Sequence, residues 1–321
     1  MENNDIIKDR SFSACIRDAF ELYCANFATI FKNTWLAALI YSLLVGVCSA
    51  LLTGVKPEDG GSHLPLLMLA VLVLVVIFVN PLFWSKVLPM FCKGHNAKSA
   101  YWKSVRGIAT SIFIIVAVTV IIGVATIAIA VPLAIDPGAH AAAAVTGTTG
   151  MANGPQSGIA TAVGVSIIGM LTALLVCVLL AVPFGYSFTA YIADPKRKLS
   201  QALWYDYRKG WHYYGLLFAS LAIMTLIQTG ISVVLAIPTG VLTTAAQVNA
   251  TGMAMGDAST LPSCFTALSF AANTLSTFVC CYSFLWTFLT LLFAYGTVES
   301  REKMKKEKFA EMAREDKFIK Q

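Results

Sequence analysis

Six long stretches of this chain contain no aspartate, glutamate, lysine or arginine. A bilayer core of about 30 Å is crossed by about 20 apolar residues in a helix, and every stretch is near or above that length. A backbone inside hydrocarbon must satisfy its own hydrogen bonds, as a helix does. The pattern therefore predicts an all-α integral membrane protein with six transmembrane helices. The predicted spans are residues 34–52, 66–83, 108–135, 159–191, 215–241 and 264–298.

The spans divide the chain into three predicted parts. Residues 1–33 form a cytoplasmic N-terminus, 34–298 the membrane domain and 299–321 a charged cytoplasmic tail. Aromatic residues such as Phe20 and Phe27 recur at helical spacing before the first span, which predicts an amphipathic helix there. Such a helix either lies on the inner leaflet or packs under the helical bundle, and the sequence leaves both arrangements open.

Two later segments resemble this entry helix, and each precedes an odd-numbered span. They are residues 98–106, before the third span, and 198–208, before the fifth. The loops between paired spans carry Thr-Gly-Met-Ala-Asn-Gly at 149–154 and Thr-Gly-Met-Ala-Met-Gly at 251–256. These similarities predict three repeated units, each an amphipathic cytoplasmic helix followed by a helical hairpin.

Serines and prolines suggest where these elements begin and end. Ser13, Ser99 and Ser200 stand near the start of the three entry helices, where a hydroxyl is predicted to cap the first turn. Proline removes a backbone donor and clashes with the preceding turn, so it is predicted to end or kink a span. The prolines at predicted span ends are Pro81, Pro132, Pro183 and Pro238.

The charges predict how the chain is oriented. Only 12% of residues are charged, against about 25% in soluble domains, which leaves no room for a soluble catalytic domain. Of the 23 lysines and arginines, all but Lys56 fall in the termini or in the loops after the second and fourth spans. Because cytoplasmic loops carry the excess of basic residues, both termini and both basic loops are predicted to be cytoplasmic.

The basic loops are also the predicted contacts with lipid headgroups. Tryptophan and tyrosine are interleaved with the cations between residues 196 and 211, as at a membrane interface. Each cation near an anionic membrane surface contributes about 1 kcal/mol to binding that surface. The orientation of the chain in the membrane would by itself require much of the same excess of basic residues in these loops. The predicted headgroup contacts are Lys98, Lys103, Arg106, Lys196, Arg197, Lys198, Arg208 and Lys209.

Inside the spans, Gln228 is the deepest amide. Hydrogen bonding to a neighbouring helix explains such a residue, and contact with a substrate is the alternative. The four histidines share no metal-ligand spacing, and no known catalytic motif is present. The sequence therefore predicts no catalytic residue, cofactor, metal or nucleic-acid partner.

The entry helix, paired spans and inner loop ending in Lys-Arg-Lys-Leu-Ser-Gln-Ala-Leu at 196–203 resemble a known module. It is the membrane-anchor domain of bacterial glycerophosphodiester phosphodiesterases and of related uncharacterised six-span membrane proteins. Those enzymes add a soluble phosphodiesterase barrel, and nothing in this sequence matches its catalytic motif. The resemblance implies a bacterial inner membrane and a membrane module without an enzyme.

Two functions follow from these observations. The first is a non-enzymatic polytopic membrane protein that organises or senses lipid or partner proteins at the inner leaflet. It is motivated by the aromatic entry helices, the basic loops and the uncharged spans. The alternative is a transporter or exporter of a small or amphipathic solute, motivated by the repeats, the prolines at span ends and Gln228.

Overall fold

The computed structural model describes residues 6–54, 64–92, 94, 96–135, 155–258 and 261–319. These residues are almost entirely helical, and none of them forms a strand. Six of the helical segments are long and apolar enough to cross a membrane. The predicted all-α fold with six transmembrane helices is therefore confirmed. The motif at 149–154 and most of the predicted loops 53–65 and 139–158 lie outside the described residues.

The described residues contain nine α-helices and one π-helical turn, Ala202–Asp206. The helices are α1 Phe12–Gly54, α2 Leu64–Phe78, α3 Asn80–Phe91, α4 Ala97–Ile135, α5 Pro155–Ala193, α6 Leu199–Gln201, α7 Tyr207–His212, α8 Tyr214–Ala254 and α9 Phe265–Ile319.

The predicted entry helix and the first predicted span form one continuous helix, α1. Its 43 residues extend about 65 Å at 1.5 Å per residue, and the 55 residues of α9 extend about 80 Å. Both lengths exceed the hydrocarbon thickness of about 30 Å. Part of each helix therefore extends beyond the region that a bilayer can cover.

The three predicted capping serines lie inside their helices, so that prediction is wrong. The cap of α1 is Ser11, whose Oγ accepts a hydrogen bond from the backbone N–H of Ala14 at 3.3 Å. The α4 helix begins earlier than predicted, because the carbonyl of Asn96 already accepts the N–H of Ala100 at 2.9 Å. The serines concerned, Ser13, Ser99 and Ser200, are the second, third and second residues of α1, α4 and α6.

The prolines end fewer helices than predicted. Pro81 lies in the first turn of α3, after the break at Val79 that separates α2 from α3. Pro183 and Pro238, however, lie inside α5 and α8, which continue to Ala193 and Ala254. In hydrocarbon no water is present to satisfy a broken backbone, so continuing the helix past a proline is the less costly choice.

Two compact units divide the chain. One comprises Met1–Ile108 with Pro183–Gln321, and the other comprises Ala109–Val182. The second unit holds parts of α4 and α5, and its described side chains include strongly exposed ones such as Phe113 and Ile121. The first unit contains the packed interior described next.

In the first unit, α1 and α9 pack against each other as an antiparallel pair. Cys15 contacts Thr297 at 3.5 Å and Thr34 contacts Tyr282 at 3.3 Å. Further along, a side chain on Gly46 would collide with Thr274, so the two backbones approach closely there. Phe27 and Phe31 of the predicted entry helix pack on Tyr282, with ring centroids 6.0 and 5.5 Å apart.

A set of buried apolar side chains in this unit forms one cluster, which we call the packed base. It combines the first half of α1 with α3, the start of α4, the end of α5 and the middle of α9. In α8 the buried residues are confined to its first fifteen positions, between Leu217 and Gln228. Members of the packed base with less than 1% exposure include Cys15, Ala19, Ile30, Val87, Leu88, Ala100, Leu285 and Leu289.

Candidate functional site

The structure separates the predicted headgroup contacts into two groups. Lys103, Arg197 and Lys209 are half-buried and bound to other groups of the protein. Lys98, Lys196, Lys198, Arg106 and Arg208 are exposed.

Arg197 is the centre of an ion-pair cluster that joins the second basic loop to α9. Its Nη1 lies 2.9 Å from Oδ1 of Asp206, and its Nη2 lies 3.6 Å from Oε1 of Glu299. Lys209 approaches the same Glu299 oxygen at 2.8 Å, and the hydroxyl of Tyr186 donates to it at 3.1 Å. We call these five residues the clasp. They connect α5, the π-helical turn, α7 and α9.

Asp206 is the most buried member of the clasp. Its side chain is 2% exposed, and its second oxygen has no hydrogen-bond partner among the described residues. Burial raises the pKa of the Asp206 carboxyl, and the guanidinium of Arg197 opposes that rise. A buried carboxylate held by one arginine is costly to leave unpaired, so Arg197 is committed to the interior rather than to a headgroup.

Lys103 is likewise committed, because it binds the end of α5. Its ammonium donates to the carbonyl of Asp194 at 2.6 Å and to that of Tyr191 at 3.3 Å. The same ammonium lies 5.0 Å from the centre of the Tyr191 ring. The last carbonyls of a helix lack partners and carry partial negative charge, which a cation stabilises. Exposed Arg106 also hydrogen-bonds to Tyr191.

The exposed cations of the second loop stand among exposed aromatic side chains. Trp204 and Tyr205 are 85% and 62% exposed, and they lie on the π-helical turn between Lys198 and Arg208. Trp211 is also exposed, and its ring stacks on Tyr214 at a centroid distance of 5.4 Å. Aromatic rings with a polar edge and lysine or arginine beside them are typical of a membrane–water interface.

The N-terminal segment is held against α9 by charges that the sequence analysis did not single out. Arg10 pairs with Asp18 at 2.8 Å and lies 4.7 Å from the centre of the Phe293 ring. Arg301 pairs with Asp9 at 2.7 Å. The clasp residues Glu299, Asp206 and Tyr186 were also missed. Glu299 carried one available signal, since it is the first charge after 41 uncharged residues.

Gln228 is bound to the neighbouring helix. Its amide nitrogen donates to the hydroxyl of Ser283 at 2.8 Å, and the side chain is buried. A hydrogen bond between α8 and α9 is the first of the two roles that the sequence allowed for this residue.

Among the described residues, no group of three or more histidine, cysteine or acidic side chains is placed to hold a metal ion. His63, His95 and His140 lie outside the described residues. His212 packs beside the ring of Tyr213 at the end of α7.

No protein-family model, curated protein or solved structure matches this chain. The resemblance to the membrane anchor of glycerophosphodiester phosphodiesterases therefore stays a prediction.

Proposed function

We propose that this six-span membrane protein organises lipid at the inner leaflet of a bacterial cytoplasmic membrane, without catalysing a reaction. In this proposal both termini are cytoplasmic, the three entry segments repeat one another, and the second basic loop binds anionic headgroups. The observation that carries the proposal is the separation of the cations, some of which are bound within the protein while others remain exposed beside Trp204 and Tyr205.

The exposed cations are available to a headgroup because the clasp already neutralises the interior. Glu299 and Asp206 bind Arg197 and Lys209, and Asp194 also pairs with Arg197 at 3.7 Å, so these two cations are neutralised within the protein. Lys198 and Arg208 lie outside these ion pairs and are exposed. Their attraction to an anionic surface is worth about 1 kcal/mol each. Together with the aromatic rings, they make a headgroup-binding surface.

The hydrogen bond between Gln228 and Ser283 supports lipid organisation over transport. A transported solute needs polar groups that it can engage and leave at membrane depth. The deepest amide of the predicted spans is instead occupied by a neighbouring helix.

The experiment compares two double variants of the full chain in detergent, titrated with phosphatidylglycerol and followed by native mass spectrometry. Lys198→Gln with Arg208→Gln removes two exposed cations from the loop. Lys306→Gln with Lys308→Gln removes two exposed cations from the tail. The tail pair lies eight and ten residues beyond Val298 on α9, about 12–15 Å further along the axis and beyond a Debye length of about 8 Å.

Loss of the loop cations is expected to weaken phosphatidylglycerol binding by about thirtyfold, the equivalent of about 2 kcal/mol. The tail variant is expected to bind phosphatidylglycerol almost as well as the unmodified protein. Binding of zwitterionic phosphatidylcholine is expected to change little in either variant. Equal binding of phosphatidylglycerol by both variants would contradict the proposal.

A further inference from the structure

A neutral cleft lies in the first unit among α1, α3, the end of α5 and α9. Its volume is about 570 Å³, within the range of about 300–1,000 Å³ that is usual for small-molecule sites. Its walls include the aromatic rings of Phe83, Trp84, Phe188 and Phe288. The described side chains that line it include none with a formal charge. A ligand of this cleft must therefore present an apolar, uncharged body.

One buried hydroxyl in the cleft wall has no partner. Oγ1 of Thr287 is fully buried and makes no hydrogen bond to any described residue. Threonines in helices commonly donate to the carbonyl four residues earlier, and Thr290 and Thr297 on the same helix do so at 3.1 and 3.0 Å. Thr287 therefore keeps an unpaired donor within the cleft wall, covered by neighbouring groups, and an unpaired buried donor is costly. A ligand that displaces this cover and brings an acceptor would satisfy the donor.

Further neutral polar groups line the same cleft. They are the amide of Asn80 and the hydroxyls of Ser276 and Thr277. With Thr287 they offer hydrogen bonds to an uncharged oxygen, such as an ester carbonyl. They offer no counter-charge to a phosphate or a carboxylate.

The surroundings of the cleft identify the source of such a ligand. Phe284 lines the cleft and is 52% exposed, so the cleft opens to the outside of the unit. Phe284 belongs to the uncharged stretch of α9 and to one of the six helices long and apolar enough to cross a membrane. Apolar helices of this kind cross the hydrocarbon layer, where lipid chains are abundant and water is absent, so a lipid chain is the ligand that we expect at the opening.

We infer that this cleft holds one acyl chain of a membrane lipid, with an ester carbonyl of that lipid accepting the hydroxyl of Thr287. This inference rests on the proposed lipid-organising function and assigns it a second contact, separate from the headgroup surface. The aromatic walls bind the chain, and the neutral polar groups bind the ester.

The test uses a phosphatidylethanolamine that carries a photoactivatable diazirine in one acyl chain. The detergent-purified full chain is labelled with this lipid at low ratio, with and without excess unlabelled lipid, and the labelled peptides are mapped by mass spectrometry. Labelling of residues 276–291 is expected to be saturable. Labelling of the exposed face of α8 around Leu226 and Val233 is expected to be non-saturable.

Filling the cleft separates a bound chain from lipid at the outer surface. Thr277→Trp is expected to reduce the saturable labelling at least fivefold. Leu226→Trp, an equally large change on the exposed face of α8, is expected to leave it unchanged. Non-saturable labelling at 276–291, or labelling that survives in Thr277→Trp, would overturn the inference.

A second variant avoids any risk that the tryptophan prevents folding. Thr287→Val removes the unpartnered hydroxyl at nearly constant shape. Without added lipid the Tm is expected to stay the same or rise, and the apparent lipid affinity is expected to fall about threefold to tenfold, as for one hydrogen bond. Thr290→Val is the control, because its hydroxyl donates to the carbonyl of Trp286 and it is not part of the cleft wall. Unchanged affinity in Thr287→Val would contradict the assigned contact.

The two proposals fail separately. If the loop cations do not affect phosphatidylglycerol binding while the cleft labels saturably, the headgroup surface is wrong and the cleft stands. If the loop cations affect phosphatidylglycerol binding while the cleft does not label saturably, the lipid-binding role of the cleft is wrong and the headgroup surface stands.

Discussion

The packed base and the apolar lengths of α2 and α8 have similar side chains but opposite exposure. Leu289 and Leu292 in the packed base are 0% and 2% exposed, whereas Leu69 of α2 and Val233 of α8 are 53% and 60% exposed. In hydrocarbon the hydrophobic effect does not drive helices together, so apolar side chains there can stay in contact with lipid. The comparison shows that the protein itself covers its apolar groups in one region and leaves that role to lipid in the other.

This difference also explains the two longest helices. The uncharged stretch that ends at Val298 is 41 residues long, more than a bilayer crossing requires. Its second part supplies Leu285, Leu289 and Leu292 to the packed base. Part of this apolar stretch therefore packs against other helices of the protein, and the clasp residue Glu299 follows directly at its end.

The largest effect is expected from truncating a leucine in the packed base. Leu289→Ala leaves a cavity in a fully buried site and should lower the free energy of unfolding by about 2–5 kcal/mol. Leu69→Ala removes the same atoms from an exposed position and should change it by about 0.5 kcal/mol or less. Unfolding titrations in mixed detergent micelles measure both. Equal losses would mean that the two regions do not differ in packing.

A smaller effect is expected where α7 meets α5. A Cβ on Gly210 would lie 2.9 Å from Cα of Pro183, so Gly210→Ala should force the helices apart and cost about 1–3 kcal/mol. Gly230 of α8 has open space around its Cβ position, and Gly230→Ala should be neutral or stabilise the helix by up to about 1 kcal/mol. Thermal unfolding in detergent compares the two. A loss of Tm in both variants would argue against this contact.

The clasp is expected to contribute less to the stability of the fold, because Glu299 remains 23% exposed and its charge is partly screened by solvent. Glu299→Gln weakens the interactions of this side chain with Arg197 and Lys209, and it should lower the free energy of unfolding by about 1–2 kcal/mol. Glu307→Gln on the exposed tail should have no measurable effect. Raising the salt concentration should narrow the difference between the two variants, and no difference at low salt would rule out a stabilising clasp.

The smallest effect concerns the hydrogen bond between Gln228 and Ser283. A double-mutant cycle with Gln228→Ala and Ser283→Ala should give a coupling of about 0.6 kcal/mol, the average for such bonds in membranes. The cycle is its own control, because each single variant reports the loss of packing. Additive single effects would show that the bond contributes nothing.

The spans could be predicted because the absence of charge is a local property of the sequence. The partners of the cations could not, since Arg197 meets Glu299 only after α5 and α9 have packed. The eight predicted headgroup residues therefore looked equivalent, although Lys103, Arg197 and Lys209 are bound within the protein. The sequence carries no sign of which side chain will be turned inward.

Helix boundaries were also harder to predict than helices. The change from charged to uncharged residues near Lys32 suggested a break, but nothing there interrupts backbone hydrogen bonding and α1 continues through it. Pro183 and Pro238 suggested ends, but α5 and α8 continue past them. The cleft was invisible for a different reason, because its walls come from four separate helices.

The measurement that most directly tests the account is the depth of spin labels in a lipid bilayer. Single labels at Val233 and at Arg208, with the native cysteines replaced, are compared for collisions with apolar oxygen and with a water-soluble nickel chelate. The label at Val233 is expected to favour oxygen and the label at Arg208 the nickel chelate. Equal access of the nickel chelate to both sites would contradict the assignment of the exposed apolar helices to the membrane.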